Sequence, residues 1–374
     1  ETLNPLYAFN MTEGYISELL FPGLFKYSWN EEIGDLDVLP MLALNWNWNE
    51  DIDKLTVKIR EDVFWSDGIQ LTTEDILYSF NLYSDPAVQS KFVGTFDNFH
   101  LTEEGKIDTE KTFLLINQFE MEFNFIPDSN PTLFDVDMPI LPRHIFENIP
   151  VDEIVTNEIN FNPVTSGPYK LETWRRKQSI TLSLNESSFL AAPESVKEIV
   201  FKVIPEYNSR LTQLRNRQID IMEDIRPNDV SLLQSLDFIS IGKIRGRDFE
   251  YLGWNNIDIS AYENENIIKP HYLFGNKNIR KALTMGINRQ EILDEYLLGF
   301  GEVAFSPVSS IFKGANDNNL EPYLYNPEQA KKILFDEGWN TYGSDGILKK
   351  GDKRFSFKLH FPSGNPFRNY TSTV

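Results

Sequence analysis

The sequence predicts a mixed α/β protein of at least two domains, and three observations carry that expectation. The 374 residues exceed what one hydrophobic core usually supports. Short segments with a period of two stand in irregular order among capped segments whose apolar residues recur every three or four positions. No fixed period of repeat-protein length runs through the chain. Apolar side chains make up 41% of the residues, enough to fill sizeable cores and to argue against disorder.

The elements follow in order. Leu55-Thr56-Val57-Lys58-Ile59 alternates apolar and polar, as a half-buried strand does, and leads through Val63-Phe64-Trp65 into a Ser66-Asp67-Gly68 turn. Thr72-Thr73-Glu74-Asp75 has the pattern of a capping box. The helix it opens carries Ile76, Leu77 and Phe80 and stops before Asp85-Pro86, because proline pushes its predecessor out of the helical region. Residues 113–116 read as a strand, and the Pro-, Asp- and Asn-rich stretch 124–150 as a crossing loop with one short helix. Ser166-Gly167-Pro168-Tyr169 is a tight turn opening onto strands at 169–174 and 179–184. A strand at 199–204, a helix from Ser209 towards Arg217 and a strand-like Ile219-Asp220-Ile221 come next. Tyr251-Leu252-Gly253-Trp254 reads as a short buried strand ending in Asn255-Asn256.

Ile279, Ala282, Leu283 and Ile287 form an apolar stripe on one helix face. Asn288 caps a second helix with Glu291 three residues on, and Gly299 and Gly301 follow its end. Asn326-Pro327-Glu328 opens a third helix with a capping residue and Pro at the first position, and Gly338 closes it. An Asp345-Gly346 turn, an alternating strand at 355–361 and the start of one more element at 367–374 end the chain.

Charge and composition narrow the function. With 56 acidic against 35 basic side chains the net charge is −21, which excludes a counterion-displacing nucleic-acid binder and opposes approach to an anionic membrane. The absence of cysteine removes disulfide scaffolds, thiolate metal sites and cysteine nucleophiles, and fits passage through an oxidising compartment. No apolar run approaches the 18 or so residues of a membrane span. The chain begins at Glu1 without an initiator Met or an apolar leader, as it would after a removed leader or at a cut boundary.

Signatures of catalysis are missing. His100, His144, His271 and His360 are scattered, with no metal-ligand spacing. No G-x-S-x-G elbow occurs, and the Ser166 turn lacks its flanking glycines. Gly299-Phe300-Gly301-Glu302-Val303-Ala304 imitates a dinucleotide fingerprint but follows a helix, the wrong context for a phosphate cradle. Asn316-Asp317-Asn318-Asn319 lacks the spacing of a calcium loop and reads as a solvated turn. Adjacent acids such as Glu31-Glu32 and Glu103-Glu104 are expected from composition alone. Trp46 and Trp48, two apart, share one strand face, more often core or interface than ligand platform. No catalytic group, cofactor or metal is assigned; what remains is the profile of a binding protein.

The order of the motifs then carries a resemblance. Thr2-Leu3-Asn4-Pro5, Leu20-Phe21-Pro22-Gly23-Leu24 and Leu39-Pro40-Met41-Leu42-Ala43 precede the block 55–60, Phe64-Trp65-Ser66-Asp67-Gly68 and Leu71-Thr72-Thr73-Glu74-Asp75-Ile76. Ser166-Gly167-Pro168-Tyr169-Lys170-Leu171, Arg217-Gln218-Ile219-Asp220-Ile221 and Tyr251-Leu252-Gly253-Trp254-Asn255 follow. Asn278-Ile279-Arg280-Lys281-Ala282-Leu283 with Gly286-Ile287-Asn288-Arg289, then 325–334 with Glu337-Gly338-Trp339, complete the series. In this order the blocks resemble the family 5 extracellular solute-binding proteins, receptors of ABC importers for oligopeptides, dipeptides or nickel. Thr165, Asn288 and Glu337 depart from that family's usual glycine, aspartate and small residue, without disturbing the fold reading.

The resemblance implies an α/β, periplasmic-binding-protein type II-like two-lobed clamshell with an inserted subdomain in lobe I and an incomplete lobe II. Lobe I would take residues 1–37 and 159–250, the inserted subdomain 38–158, and lobe II 251–374. The region carrying the aspartate that pairs with a peptide amino terminus in such receptors lies beyond Val374, so the chain reads as C-terminally shortened. The ligand would be enclosed between lobes that close on it. Residues assigned to the ligand by position are Asn10, Met11, Thr12 and Glu13 after the Leu-Asn-Pro motif, Ser166, Met222 and Glu223 after their turns, and Trp254, Asn255 and Asn256 at the crossing, where a flat ring and amides are on offer. The expected partners are a peptide or similar small solute and a membrane permease of the ABC type, not nucleic acid. The protein is expected as a monomer, exported to the periplasm or cell surface, with or without a lipid anchor. Two other readings stay open, the sensor domain of a regulator and a secreted hydrolase using a carboxylate pair.

Overall fold

The computed structural model describes residues 2–304, 306–315 and 320–373. The chain divides into two units, Glu1–Trp29 with Leu36–Arg210, and Asn30–Asp35 with Leu211–Val374. The 316–319 turn and Val374 lie outside the described residues.

The first unit is built outward from one alternating strand. After a 3-10 turn at Pro5–Tyr7 come α1 (Met11–Leu20), β1 (Phe25–Asn30), β2 (Asp35–Pro40), β3 (Ala43–Trp48) and β4 (Lys54–Ile59). In β4, Leu55, Val57 and Ile59 are fully buried while the residues between them are not, as the period of two requires. The helix α2 (Thr73–Ser84) begins where Thr72 N–H donates to Asp75 Oδ2 at 2.9 Å and ends before Asp85-Pro86. A turn of helix, α3 (Thr109–Thr112), leads into β5 (Phe113–Asn117) and β6 (Glu120–Asn124).

These strands form an antiparallel sheet in the order β3-β4-β6-β5, with Trp46 opposite Val57 and Val57 opposite Met121. Phe80 of α2 packs on the sheet, its ring 5.4 Å from that of Phe123, 5.7 Å from Phe113 and 5.9 Å from Phe99. Each such side chain contributes about 1.5–3 kcal/mol by leaving water. Trp46 and Trp48 face this core too, stacking edge-on with Phe25 and tilted on Phe125.

The loop 124–150 holds a 3-10 turn at Leu133–Val136 and one short helix, α4 (Arg143–Phe146). Beyond it, β7 (Tyr169–Arg175), β8 (Ser179–Leu184) and β9 (Glu198–Lys202) form a second antiparallel sheet in sequence order, and α5 (Tyr207–Arg215) spans the boundary between the units.

The second unit is mostly helical: α6 (Pro227–Gln234), α7 (Ile259–Glu265), α8 (Lys277–Gly286), α9 (Arg289–Glu295) and α10 (Pro327–Asp336). The strands β10 (Thr341–Tyr342), β11 (Leu348–Lys350) and β12 (Lys353–Arg354) make a small sheet, and α11 (Pro366–Thr371) follows. The stripe on α8 packs against α10, and Leu273, Phe274, Ile279 and Trp339 form a small core. The caps expected at Asn288 and Asn326 are present, accepting from the N–H of Glu291 and Gln329. Gly338 closes α10 at φ +87°, a conformation open to glycine.

Three expected strands of this unit are corrected. Residues 219–221, 251–254 and 355–361 carry no ladder, and the 251–254 segment is not buried: Tyr251 is 75% exposed. Alternation specifies a face, but a strand also needs a continuous backbone partner, and among the described residues these segments have none beyond the bond from Phe355 N–H to Leu348 O at 2.8 Å.

Candidate functional site

The residues at the start of α1 are positioned by two amides. Asn4 donates from Nδ2 to Asn160 Oδ1 at 2.7 Å and accepts from Leu6 N–H, while Asn160 donates to the carbonyls of Ile154 and Val155. This buried network fixes where the Leu-Asn-Pro motif ends and α1 begins. Asn10 is the N-cap: its Oδ1 accepts from Glu13 N–H at 2.9 Å. Glu13, 8% exposed, returns the contact by accepting from the N–H groups of Phe9, Asn10 and Thr2. Asn10 and Glu13 thus hold the helix start, whereas Met11, 72% exposed, and Thr12 point into solvent.

Ser166 sits at the other end of the same helix. The N–H groups of Ser166 and Gly167 both donate to Leu20 O, at 3.2 and 2.9 Å. Ten residues of helix separate this end from Asn10, about 15 Å at the standard rise. Glycine is needed at 167 because a Cβ there would lie 2.3 Å from Leu19 O. The turn is also stitched to the Trp65-Ser66-Asp67 block, Ser66 N–H donating to Thr165 O at 2.7 Å and Thr165 N–H to Ser66 Oγ at 3.1 Å. Asn185 secures its far side through Pro168 O and Gly167 O. Ser166 is 1% exposed and its Oγ has no hydrogen-bond partner among the described residues.

The other candidates lie in the second unit. Trp254 packs against Phe274, centroids 5.3 Å apart, and meets Phe357 edge-on. The Asn256 amide nitrogen, in the orientation that satisfies it, donates to the carbonyls of Trp254 and Phe274 at 3.1 Å each, and Asn256 O accepts from His271 N–H. Asn255 Oδ1 accepts from Ile257 N–H at 3.3 Å. Met222 is half-buried and Glu223 exposed on the loop between α5 and α6. The first unit therefore holds Asn10, Met11, Thr12, Glu13 and Ser166, at two ends of one helix, and the second holds the rest.

Elsewhere, the described residues gather no group of three metal-binding side chains. His144 Nε2 lies 2.7 Å from Asp67 Oδ2 as an isolated pair. A shallow cleft of about 430 Å³ lined by Asp53, Lys54 and His100 and one of about 240 Å³ lined by Asp248, Phe249 and Phe300 contain none of the candidates. Among the described residues no helix is long and apolar enough to cross a membrane.

One half-buried carboxylate was not signalled by any motif. Asp137, in the crossing loop, accepts from Phe25 N–H at 3.1 Å, and burial pushes its carboxyl up to about 6 although the N–H groups of Phe25 and Leu24 pull the other way. Gly23 leaves it room: a Cβ there would lie 2.4 Å from Asp137 Oδ1.

Residues 37–371 match the family model for bacterial extracellular solute-binding proteins, family 5 middle. The oligopeptide-binding protein AppA of Bacillus subtilis is 30% identical over 320 residues, covering 85% of this chain and 54% of AppA. The chain thus spans about half the length of that relative. The structure of B. subtilis AppA in complex with a nonapeptide superposes with a TM-score of 0.72 at 27% identity, covering all of this chain and 69% of AppA. NikZ from Campylobacter jejuni in complex with Ni(L-His) superposes at 0.76 with 21% identity, covering all of this chain and 68% of NikZ.

Proposed function

Because the chain belongs to the bacterial extracellular solute-binding proteins of family 5, we propose that it serves as the substrate-binding receptor of an ABC importer, capturing a peptide and delivering it to a membrane permease. Its fold is the α/β, type II periplasmic-binding-protein fold of its structural relatives. The observation that carries the peptide is the superposition of the whole chain, at 27% identity, on a relative that holds a nonapeptide. The likeness to the nickel–histidine complex is at 21% identity and supports the fold alone. The protein works without chemistry on its cargo, as a monomer outside the cytoplasm.

Among the residues assigned to the ligand, Met11, Thr12 and Glu223 have exposed side chains, and Ser166 holds an unsatisfied hydroxyl. Asn10, Glu13, Asn255 and Asn256 act by shaping the backbone beside them. The inserted subdomain 38–158 is supported by the β3-β4-β6-β5 sheet, which falls inside those limits. The test is thermal unfolding of the full-length protein with peptides of two to nine residues and with a nickel–histidine complex. A peptide present at about 100 times its Kd raises stability by about 2.7 kcal/mol. A shift with nickel–histidine and none with any peptide overturns the reading.

A further inference from the structure

The hairpin joining β7 to β8 ends in Trp174-Arg175-Arg176-Lys177-Gln178. Arg175-Arg176-Lys177 is the one run of three consecutive basic residues in a sequence where acids outnumber bases, 56 to 35. No acidic residue occurs between 173 and 185. All three side chains are exposed, and none pairs with a carboxylate among the described residues. The register adds a fourth cation: Arg175 stands opposite Ser179, and Ser179 opposite Lys202, so one row across the sheet presents a cation on each side of a small hydroxyl. The acids of that face, Glu172 and Glu198, lie beside Ser183, four residues further along β8.

Two details show that this charge is held ready. The Arg176 guanidinium carbon lies over the Phe161 ring, 4.1 Å from its centroid, and 5.8 Å from that of Trp174. A guanidinium held against a ring loses rotamer freedom in advance, and its N–H groups can meet a carboxylate with two parallel bonds. Lys177 occupies the left-handed region at φ +61°, where glycine or asparagine is at ease and lysine is not. The turn keeps a cation where backbone preference opposes one.

We propose that the β7–β8 tip is a docking surface for an acidic, carboxylate-bearing segment of a protein partner. An anionic membrane fits less well. Lipid-binding clusters of about four to eight cations stand beside a membrane span or on an amphipathic helix, whereas here the cations sit on a hairpin tip, Arg176 lies over the Phe161 ring and the chain as a whole carries −21. The inference is independent of which solute the protein carries.

The test uses the full-length protein with an acetylated hexaglutamate amide as probe, following the arginine side-chain NMR signals at low and at physiological salt. The Arg176 signal is expected to shift saturably, and R175Q/R176Q/K177Q to weaken binding by about tenfold or more with an unchanged thermal midpoint. K331Q/K332Q, an exposed basic pair on α10, leaves binding as it was. K177G is expected to raise the thermal midpoint while weakening binding, which separates the charge requirement from folding. Equal binding by wild type and the triple variant overturns the proposal. So does retention of the wild type on vesicles of phosphatidylcholine and phosphatidylglycerol, about 7:3, without any hexaglutamate binding.

Discussion

A methyl group has opposite consequences at two glycines only a helix length apart in space. At Gly167 it meets Leu19 O at 2.3 Å, backbone that cannot turn aside; Gly167→Ala is expected to cost about 3 kcal/mol. At Gly14, inside α1, it meets nothing within 4 Å, and Gly14→Ala is expected to stabilise by about 0.5–1 kcal/mol through helix propensity. Urea titration of both variants checks the pair of signs. Asp137 gives a pH test. Its folded value of about 6 lies above the ordinary 3.8, so the native state binds the proton more tightly. The Asp137 contribution to stability is therefore fully present below about pH 4 and is lost as pH rises to about 6, by up to roughly 3 kcal/mol. Asp137→Asn is expected to remove that decline, gaining on the wild type between pH 4 and pH 7.5; a pH-independent difference rejects the assignment. At this scale the sequence shows that Gly167 belongs to a turn, but not that the turn leans on a carbonyl almost 150 residues earlier. Asp137 is likewise silent in the sequence, since burial of one acid in a loop rich in Asp has no local pattern.

Helices were the most legible elements because their instructions are local. The capping box before α2, the Asn288 and Asn326 caps and the closing Gly338 all lie within a few residues of what they control. Strands were legible where alternation and a partner coincide, as in β4, and misread at 219–221, 251–254 and 355–361, where alternation stands alone. Glu337, a departure from the family pattern, has an element-scale role. Its carboxylate accepts from Asn276 Nδ2 at 2.6 Å and Asn278 Nδ2 at 2.5 Å, tying the end of α10 to the start of α8. The amides of Asn278 and Asn276 hold its carboxyl below the ordinary 4.5. Its contribution is thus present above that value and lost as pH falls through the lowered one. Glu337→Ala is expected to destabilise the second unit by about 1 kcal/mol at neutral pH and by less at pH 3, read by circular dichroism melts at both.

On the scale of the whole chain the two units differ in how their backbones are secured. In the first, β4 and β6 are central strands with buried Leu55, Val57, Met121 and Phe123. In the second, strands are two or three residues long, the 251–254 segment joins no ladder, and the 355–361 segment meets β11 through Phe355 N–H and Leu348 O alone. Hydrogen exchange read by mass spectrometry is expected to leave β4 and β6 protected for hours while 251–254 and 355–361 exchange within seconds to minutes; equal protection contradicts the architecture. Division of the chain into more than one unit was legible from length, while the grouping of the 30–35 hairpin tip with residues after 210 was not, since a hairpin's sequence fixes its turn and not which body receives it.

The Asn4–Asn160 bond has a temporal side. A nascent chain emerging at about 5–20 residues per second presents residue 4 roughly 8–30 s before its partner. Earlier partners of the same segment, Glu13 for the Thr2 N–H and Lys91 for the Leu6 carbonyl, are made first, and closing the longer loop to Asn160 adds its own delay. Asn4 therefore stays without this partner until Asn160 has been made, which places the bond among the later steps of folding in the first unit.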